Sequence, residues 1–419
     1  MTVRRALLVC AVVLAVAPPT AGAAALDAHI ERLIARSHFA GSRTGLAVYD
    51  RTSGHFLALH NDRGQLRPGS NVKLATSAAL FVQFGPFARL RTQIMASGPL
   101  AAGTVTGSLF FVGAGDPSLA TKPFARAAHG GDGTLVSDLA AAIAARGISR
   151  VTGRLYGDES AFDSRRTGPF WKPSYWQDCP PISALSVNED LFHLGHPQAS
   201  SNPPLFAAQI LKKSLKNRGV VFARAPRVRV HPGTAWVVAT TSSPHMSRLI
   251  REMDIVSDNY YAEVLTKALA VHAGLRGTTA NGTLTTRRSL RRLGVNLRGA
   301  SIMDGSGLSL GDHLSARQIL GILRRSTRQS WGFYLHEALP VAGVSGTLRT
   351  RMRSGPAHGN AHAKTGTLDT ASALSGYVRS ANGHRLVFSI LQNRRPHLDV
   401  LAAHRLQDAS VQLLAGSRV

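Results

Sequence analysis

The chain has 419 residues, 44% of them hydrophobic and 17% charged, which is long enough for two or three domains and too apolar for a disordered protein. Lysine and arginine outnumber aspartate and glutamate by 49 to 23, a formal net charge of +26, and that excess favours anionic surroundings. No basic run is interleaved with aromatic residues, so no nucleic-acid partner is expected; the charge reads as a general arginine bias or as affinity for a polyanion such as an acidic wall polymer.

At the start, Arg4 and Arg5 precede an apolar stretch from Ala6 to Ala17 and then Pro18-Pro19-Thr20-Ala21-Gly22-Ala23. A short basic region, a short apolar core and a small-x-small site predict a signal peptide over 1–23, with cleavage after Ala25 as the other choice. The protein is therefore expected to be exported, to the periplasm or the cell-wall space. Cys10 lies in that leader, and the one other cysteine, Cys179, has no partner for an internal disulfide. It reads as a buried or idle thiol. No later stretch reaches 18 apolar residues, so no membrane span is expected after signal cleavage.

Leu46–Asp50 and His55–Leu59 predict a hairpin, closed by Arg51-Thr52-Ser53-Gly54. The hairpin leads to Pro68-Gly69-Ser70-Asn71-Val72-Lys73-Leu74, the entry to an apolar helical run. From about Arg91 short strands dominate: Thr92–Ala96, Gly107–Val112 and Val151–Tyr156, with a helix over Leu135–Ala145. The stretch from Ser160 to Asn202 is irregular. A helix over Leu205–Lys216 and strands over Val220–Val230 follow. Helical texture resumes at Ser242-Ser243-Pro244, strands return at Ala373–Val378 and Arg385–Leu391, and His397–Leu414 predicts a closing helix that packs on the sheet.

Ser70 and Lys73 lie three apart at a helix start, so the amine reaches the hydroxyl. A serine is a weak nucleophile until a base takes its proton, and a lysine is such a base only when neutral. This is the single Ser-x-x-Lys in a chain with eight lysines. Two further motifs follow in the order expected of penicillin-interacting serine enzymes, Ser257-Asp258-Asn259 and Lys364-Thr365-Gly366. Ser-x-Asn also occurs at Ser186, Ser200 and Ser380, but Ser380 reads as a hairpin turn and Ser200 as a polar, proline-flanked loop, whereas Ser257 precedes a helical run, Tyr260 to Leu265, that would fix its geometry. Lys364-Thr365-Gly366-Thr367, ahead of probable strands, suits an edge strand along which a ligand backbone can lie.

With these motifs, and with Gly113-Ala114-Gly115-Asp116-Pro117, Ala184-Leu185-Ser186-Val187-Asn188, Asp304-Gly305-Ser306-Gly307-Leu308-Ser309 and Leu374-Ser375-Gly376-Tyr377-Val378, nearly the whole mature chain resembles the D-alanyl-D-alanine carboxypeptidase/endopeptidase family, the class C low-molecular-mass penicillin-binding proteins of penicillin-binding protein 4 type. The resemblance implies an α+β fold: a β-lactamase/transpeptidase-like domain, with an antiparallel sheet flanked by helices, over 24–90 and 242–419, interrupted by a β-rich inserted domain over 91–241. It implies a serine-type D-Ala-D-Ala carboxypeptidase that works on peptidoglycan stem peptides through an acyl-serine and is inhibited by penicillin. Catalysis would rest on Ser70, Lys73, Ser257, Asn259 and Lys364, and substrate binding on Thr365, Gly366 and Thr367. The backbone N–H groups of Ser70 and Thr367 would form the oxyanion hole. Asp158 resembles a family aspartate that faces the stem-peptide side chain. No metal or organic cofactor is implied, the expected ligands are stem peptides and β-lactam antibiotics, and the oligomeric state is left open. The family commonly has arginine where Leu310 stands; that residue and Asp369 depart from its pattern. A β-lactamase, or a non-catalytic cell-wall-binding protein with the same fold, is the alternative.

Overall fold

Alternation along one strand divides the core. In β1 (Arg43–Asp50), Leu46 and Val48 face one apolar cluster and Ala47 and Tyr49 face another, as the two-residue period of a strand requires. The structure, a computed structural model, describes residues 21–37, 39, 43–196 and 198–419. The expected leader falls largely on residues 1–20, outside the described residues. Helix α1 (Ala21–Ala35) precedes β1, and β2 (Phe56–His60) pairs back on it through the predicted hairpin. Helix α2 (Val72–Phe84) follows, and every residue from Val72 to Phe81 is buried. A helix buried on all sides belongs at the centre of a domain.

Residues 91–242 build a second sheet. Its strands are β3 (Arg91–Ala96), β4 (Leu109–Val112), β5 (Leu155–Asp158), β6 (Arg227–Val228) and β7 (Trp236–Ser242), in the order β6-β5-β4-β3-β7. The β4–β5 and β5–β6 pairs are parallel, which demands long crossovers; α3 (Val136–Ala145) and α4 (Pro203–Lys216) supply them. This part therefore carries helices as well as strands. The predicted strand Val151–Tyr156 is two: Arg150–Val151 belongs to a separate small sheet, and β5 begins at Leu155. Gly153 marks the break. A Cβ there would lie 2.5 Å from the Gly107 carbonyl oxygen, an approach only glycine permits.

The chain then returns to the first sheet through α5 (Met246–Ile255), α6 (Asn259–His272), α7 (Thr279–Arg292), α8 (Ala316–Ser326) and the short α9 (Gly332–Glu337). Strands β8 (His362–Leu368), β9 (Ala371–Arg379) and β10 (Arg385–Asn393) follow, and α10 (Val400–Gly416) closes the chain. The first sheet runs β8-β9-β10-β1-β2, antiparallel throughout. Both of its faces are covered. Leu26, Ile30, Leu406 and Val411 from α1 and α10 pack with Leu374 and Phe388 on one side. On the other, α2 sits among α5, α6, α7 and α8. The architecture is α+β, and β8, at the sheet edge, lies against the turn that opens α2. Among the described residues no helix is long and apolar enough to cross a membrane.

Phe388 is fully buried between α10 and the sheet. Phe388→Ala is expected to destabilise the fold by about 3–5 kcal/mol. The urea midpoint should fall with an unchanged slope; an unmoved midpoint would show that this layer does not hold the domain.

Candidate active site

The turn that carries Ser70 owes its shape to three glycines. Gly69–Asn71 form a single 3-10 turn before α2, with Gly69 at φ +51°. Gly307, at φ +89°, lies so close that a Cβ would come within 2.0 Å of the Gly69 carbonyl oxygen. Gly366 on β8 faces the same turn; its Cβ would lie 2.8 Å from Pro68 O and 3.1 Å from Ser70 N. Asn71 Nδ2 donates to the Lys364 carbonyl at 3.1 Å and stitches the turn to β8. Ser70 N and Thr367 N thus lie on facing backbones, with the Thr367 side chain exposed.

All three predicted motifs meet here. Lys73, fully buried, donates from Nζ to Ser70 Oγ at 3.1 Å, Asn259 Oδ1 at 2.6 Å and the Ser306 carbonyl at 2.9 Å. Lys364, equally buried, donates to Ser257 Oγ at 2.8 Å and to the Thr365 carbonyl at 3.0 Å. Ser257 sits in the α5–α6 connection at φ +65°, strain of about 1–3 kcal/mol of the kind that collects at functional sites. Asp258 caps α6 by accepting from Tyr261 N at 2.9 Å, which points Asn259 at Lys73. Thr365 Oγ1 is 2.7 Å from Thr347 Oγ1. Ser380 instead lies in the β9–β10 turn, and Ser186 donates to Asp190 within the second sheet's region.

Burial sets the electrostatics. It drives the Lys73 pKa down to about 8, against the pull of Asp258, Asp304, Asp254 and Glu263. Burial, and then repulsion from Lys73, drives Lys364 down to about 7. Two amines so close cannot both keep a proton cheaply, so they titrate as a pair. The hydrogen bonds assign the roles. A neutral Lys73 donates its two N–H groups to Asn259 and Ser306 and turns its lone pair to the Ser70 hydroxyl.

A shell of carboxylates surrounds the pair, and no motif named it as a functional group. Asp304 accepts from Gly307 N at 2.7 Å, Ser309 N at 2.6 Å and Trp171 Nε1 at 2.8 Å, which sets the loop whose Ser306 carbonyl holds Lys73. Glu263 Oε1 accepts from Gly305 N and Ser306 N at 2.9 and 2.8 Å. Burial and then Asp304 push its pKa up to about 8. Asp254 accepts from Ser77 Oγ at 2.7 Å. One signal for Glu263 was available: it stands one helical turn after Asn259, the single carboxylate in α6.

The comparisons with known proteins bear on this geometry. The model of the D-Ala-D-Ala carboxypeptidase 3 (S13) family matches residues 26–198 and 193–416. The chain belongs to the S13 family. It is 28% identical to the D-alanyl-D-alanine carboxypeptidase of Actinomadura sp. (strain R39), over 84% of this chain and 78% of that one. It is 23% identical to D-alanyl-D-alanine carboxypeptidase DacB of Haemophilus influenzae, over 83% and 85%. The crystal structure of penicillin binding protein 4 (dacB) from H. influenzae shares the fold with a TM-score of 0.78, at 21% identity over 91% of this chain and 97% of that one. A predatory peptidoglycan endopeptidase from Bdellovibrio bacteriovorus matches with a TM-score of 0.56 at 15% identity, over 90% and 93%.

One expected binding residue of this S13 chain is not in the cleft. Asp158 ends β5 with no exposed side-chain surface. Its Oδ2 accepts from His231 N at 2.7 Å and contacts His231 Nδ1 at 2.6 Å, and Oδ1 accepts from Ser160 N at 2.9 Å. Burial alone would raise its pKa, but these bonds outweigh burial and hold it below the usual value. It fastens a turn and is not free to meet a substrate amine. Cys179 is a buried free thiol, and burial pushes its pKa well up. The irregular stretch 160–202 does reach the site. Asn259 Nδ2 donates to the Asp178 carbonyl at 3.0 Å, and Lys172 pairs with Asp369 at the end of β8. Leu310 lines an apolar hollow with Phe170, Trp171 and Gly311.

Two outcomes follow from this geometry. Gly366→Ala sets a methyl against the Ser70 turn, and a displacement near 1 Å is expected to slow penicillin acylation about 100-fold; stopped-flow acylation of a variant with native circular dichroism measures it. Asp254 holds protons on both lysines, so Asp254→Asn lowers both amine pKa values. The pH profile of acylation between pH 6 and 9 should move to lower pH; a profile that stays or moves up contradicts the assignment.

Proposed function

We propose that this S13 serine D-Ala-D-Ala carboxypeptidase cleaves the terminal D-alanine of a peptidoglycan stem peptide with Ser70 as nucleophile and Lys73 as its base. The hydroxyl of Ser70 gives its proton to the Lys73 amine while Oγ bonds to the carbonyl carbon of the penultimate D-alanine. The oxyanion takes hydrogen bonds from the N–H groups of Ser70 and Thr367. The carbon–nitrogen bond breaks, and the leaving amine takes a proton relayed from Lys73 through Ser257. Water then hydrolyses the acyl-serine, giving back the Ser70 hydroxyl and a shortened peptide acid. Lys364 has three N–H groups in its charged form and two acceptors beside it, so one N–H is left for the substrate's terminal carboxylate. Thr365 adds a hydroxyl contact there, and Gly366 keeps β8 open to the peptide backbone. Asn259 holds Lys73 and meets the substrate amide.

The observation that carries this reading is the 3.1 Å contact between Lys73 Nζ and Ser70 Oγ inside a buried pair of pKa-lowered amines. Cross-links within peptidoglycan present the same D-alanyl amide, so endopeptidase action uses the same steps. A β-lactam's strained amide should enter the same route and stop at the acyl-serine. We place the enzyme in the periplasm or cell-wall space on the strength of the basic–apolar–small pattern over residues 1–23. We read 91–241 as an insertion within a catalytic domain made of 24–90 and 242–419.

Intact-mass spectrometry after penicillin, then incubation with a pentapeptide muropeptide, tests the assignment. One stable penicilloyl adduct on Ser70 and release of D-alanine are expected, with neither in Ser70→Ala. Lys73→Met should slow acylation by about 10²–10⁴-fold, the usual worth of a general base. Rapid penicillin turnover would indicate a β-lactamase, and a folded chain that takes no adduct a cell-wall-binding protein.

A further inference from the structure

A second cluster of chemistry lies outside every motif described above. His336 and Glu337 end the short helix α9, and His362 opens β8, two residues before Lys364. One potential ligand atom from each of the three lies within 4.8 Å of the others. The imidazoles of His336 and His362 stack with centroids 4.0 Å apart, and His336 Nδ1 is 2.9 Å from Glu337 Oε1. His362 Nδ1 is buried and has no hydrogen-bond partner, an unusual state for a polar atom. All three residues line one cavity of about 600 Å³, together with Arg51, Phe333 and Tyr377.

We propose that His336, Glu337 and His362 form a binding site for a divalent transition metal, Zn²⁺ by preference. Two imidazoles and a carboxylate are a donor set zinc accepts readily, in a tetrahedron with Zn–N of about 2.0–2.1 Å and Zn–O of about 2.0–2.2 Å. Two ligand atoms of one tetrahedral ion lie about 3.4 Å apart, so atoms now within 4.8 Å of one another close by up to about 1.4 Å. Stacked rings aim their lone pairs nearly parallel, and one ring must swing. His336, with 37% of its side chain exposed beside the cavity, is free to do so. Arg51, Arg379 and Arg385 line the same cavity. They favour an anion over water as the fourth ligand. The ion would tie α9 to the first residue of the strand that carries Lys364, without touching the substrate.

The test is titration of the full chain with zinc chloride by calorimetry, and with Co²⁺ by absorption spectroscopy. One Zn²⁺ per chain and the intense visible band of four-coordinate Co²⁺ are expected. His336→Ala and His362→Ala should each weaken binding by about tenfold or more, at least 1.4 kcal/mol. Zinc should raise the melting temperature of the wild type and not of the variants. Penicillin labelling of Ser70 reports that a variant is folded; should either alanine variant fail that check, the exposed Glu337→Gln serves with the same expectation. No binding by folded wild type at millimolar metal overturns the proposal. So does equal affinity in wild type and variants, which would place the ion on other histidines.

Discussion

Two fully buried amines, Lys73 beside Ser70 and Lys364 beside Ser257, are the constraint on which this structure depends. A lysine on the surface is charged and useless as a base. Lys73 becomes useful because α2 is buried from Val72 to Phe81, and Lys364 because β8 is closed off by the Ser70 turn. Each amine also raises the cost of a proton on the other. That arrangement would be ruinous if the remaining polar groups were left bare. They are not: the two Nζ atoms have five acceptors between them, and the nearby carboxylates take backbone N–H groups. The large apolar envelope of helices and sheet thus exists, in functional terms, to hold one small polar room dry.

The carboxylates make the balance adjustable. Glu263 and Asp258 have pKa values pushed up to about 8 and 7, by burial first in both. Near neutral pH a share of them carries a proton, and a protonated carboxyl no longer holds Lys73 in its charged form. Were all of them ionised, their attraction would oppose the effect of burial on Lys73 and stall the base. The same burial that lowers the lysines therefore also disarms the groups that would otherwise restore them.

How much of this was legible beforehand depended on distance along the chain. Ser70 and Lys73 are one helical turn apart, Ser257 and Asn259 share one cap, and Lys364 to Thr367 share one strand, so each motif carried its own local geometry. Their convergence was readable through the resemblance, since no local rule brings residue 364 to residue 70. Asp158 failed for the complementary reason. Whether a carboxylate faces a substrate or fastens a turn depends on who reaches it, and its partner His231 is 73 residues away. Gly153 likewise looked like an interior strand residue until the Gly107 carbonyl was seen beside it. The metal-ligand cluster was invisible because His336 and His362 are joined by packing of α9 on β8 and by no spacing rule.

The stretch 160–202 has the least periodicity in the chain and yet touches the site at three points: Trp171 on Asp304, Asp178 on Asn259 and Lys172 on Asp369. Irregular backbone must find its hydrogen bonds outside regular ladders, and the Asp178 carbonyl finds one at Asn259, while Trp171 and Lys172 act through their side chains. The contacts differ in kind. Trp171 and Asp178 grip groups that orient Lys73, so they belong to the chemistry. The Lys172–Asp369 pair is largely exposed, with 33% and 59% of the two side chains in solvent, and such pairs contribute little to stability. Its effect is geometric: it lies beyond Thr367 at the end of the strand along which a peptide would lie, next to the hollow formed by Phe170, Trp171, Leu310 and Gly311. In that hollow Leu310 stands with Phe170 and Trp171 as an apolar wall. The surface beside this end of β8 is therefore aromatic and aliphatic, and the exposed Lys172–Asp369 pair brings charge to its border. A segment without long helices or strands of its own thus shapes the rim of a site whose inner groups are already held by α2, α6 and β8.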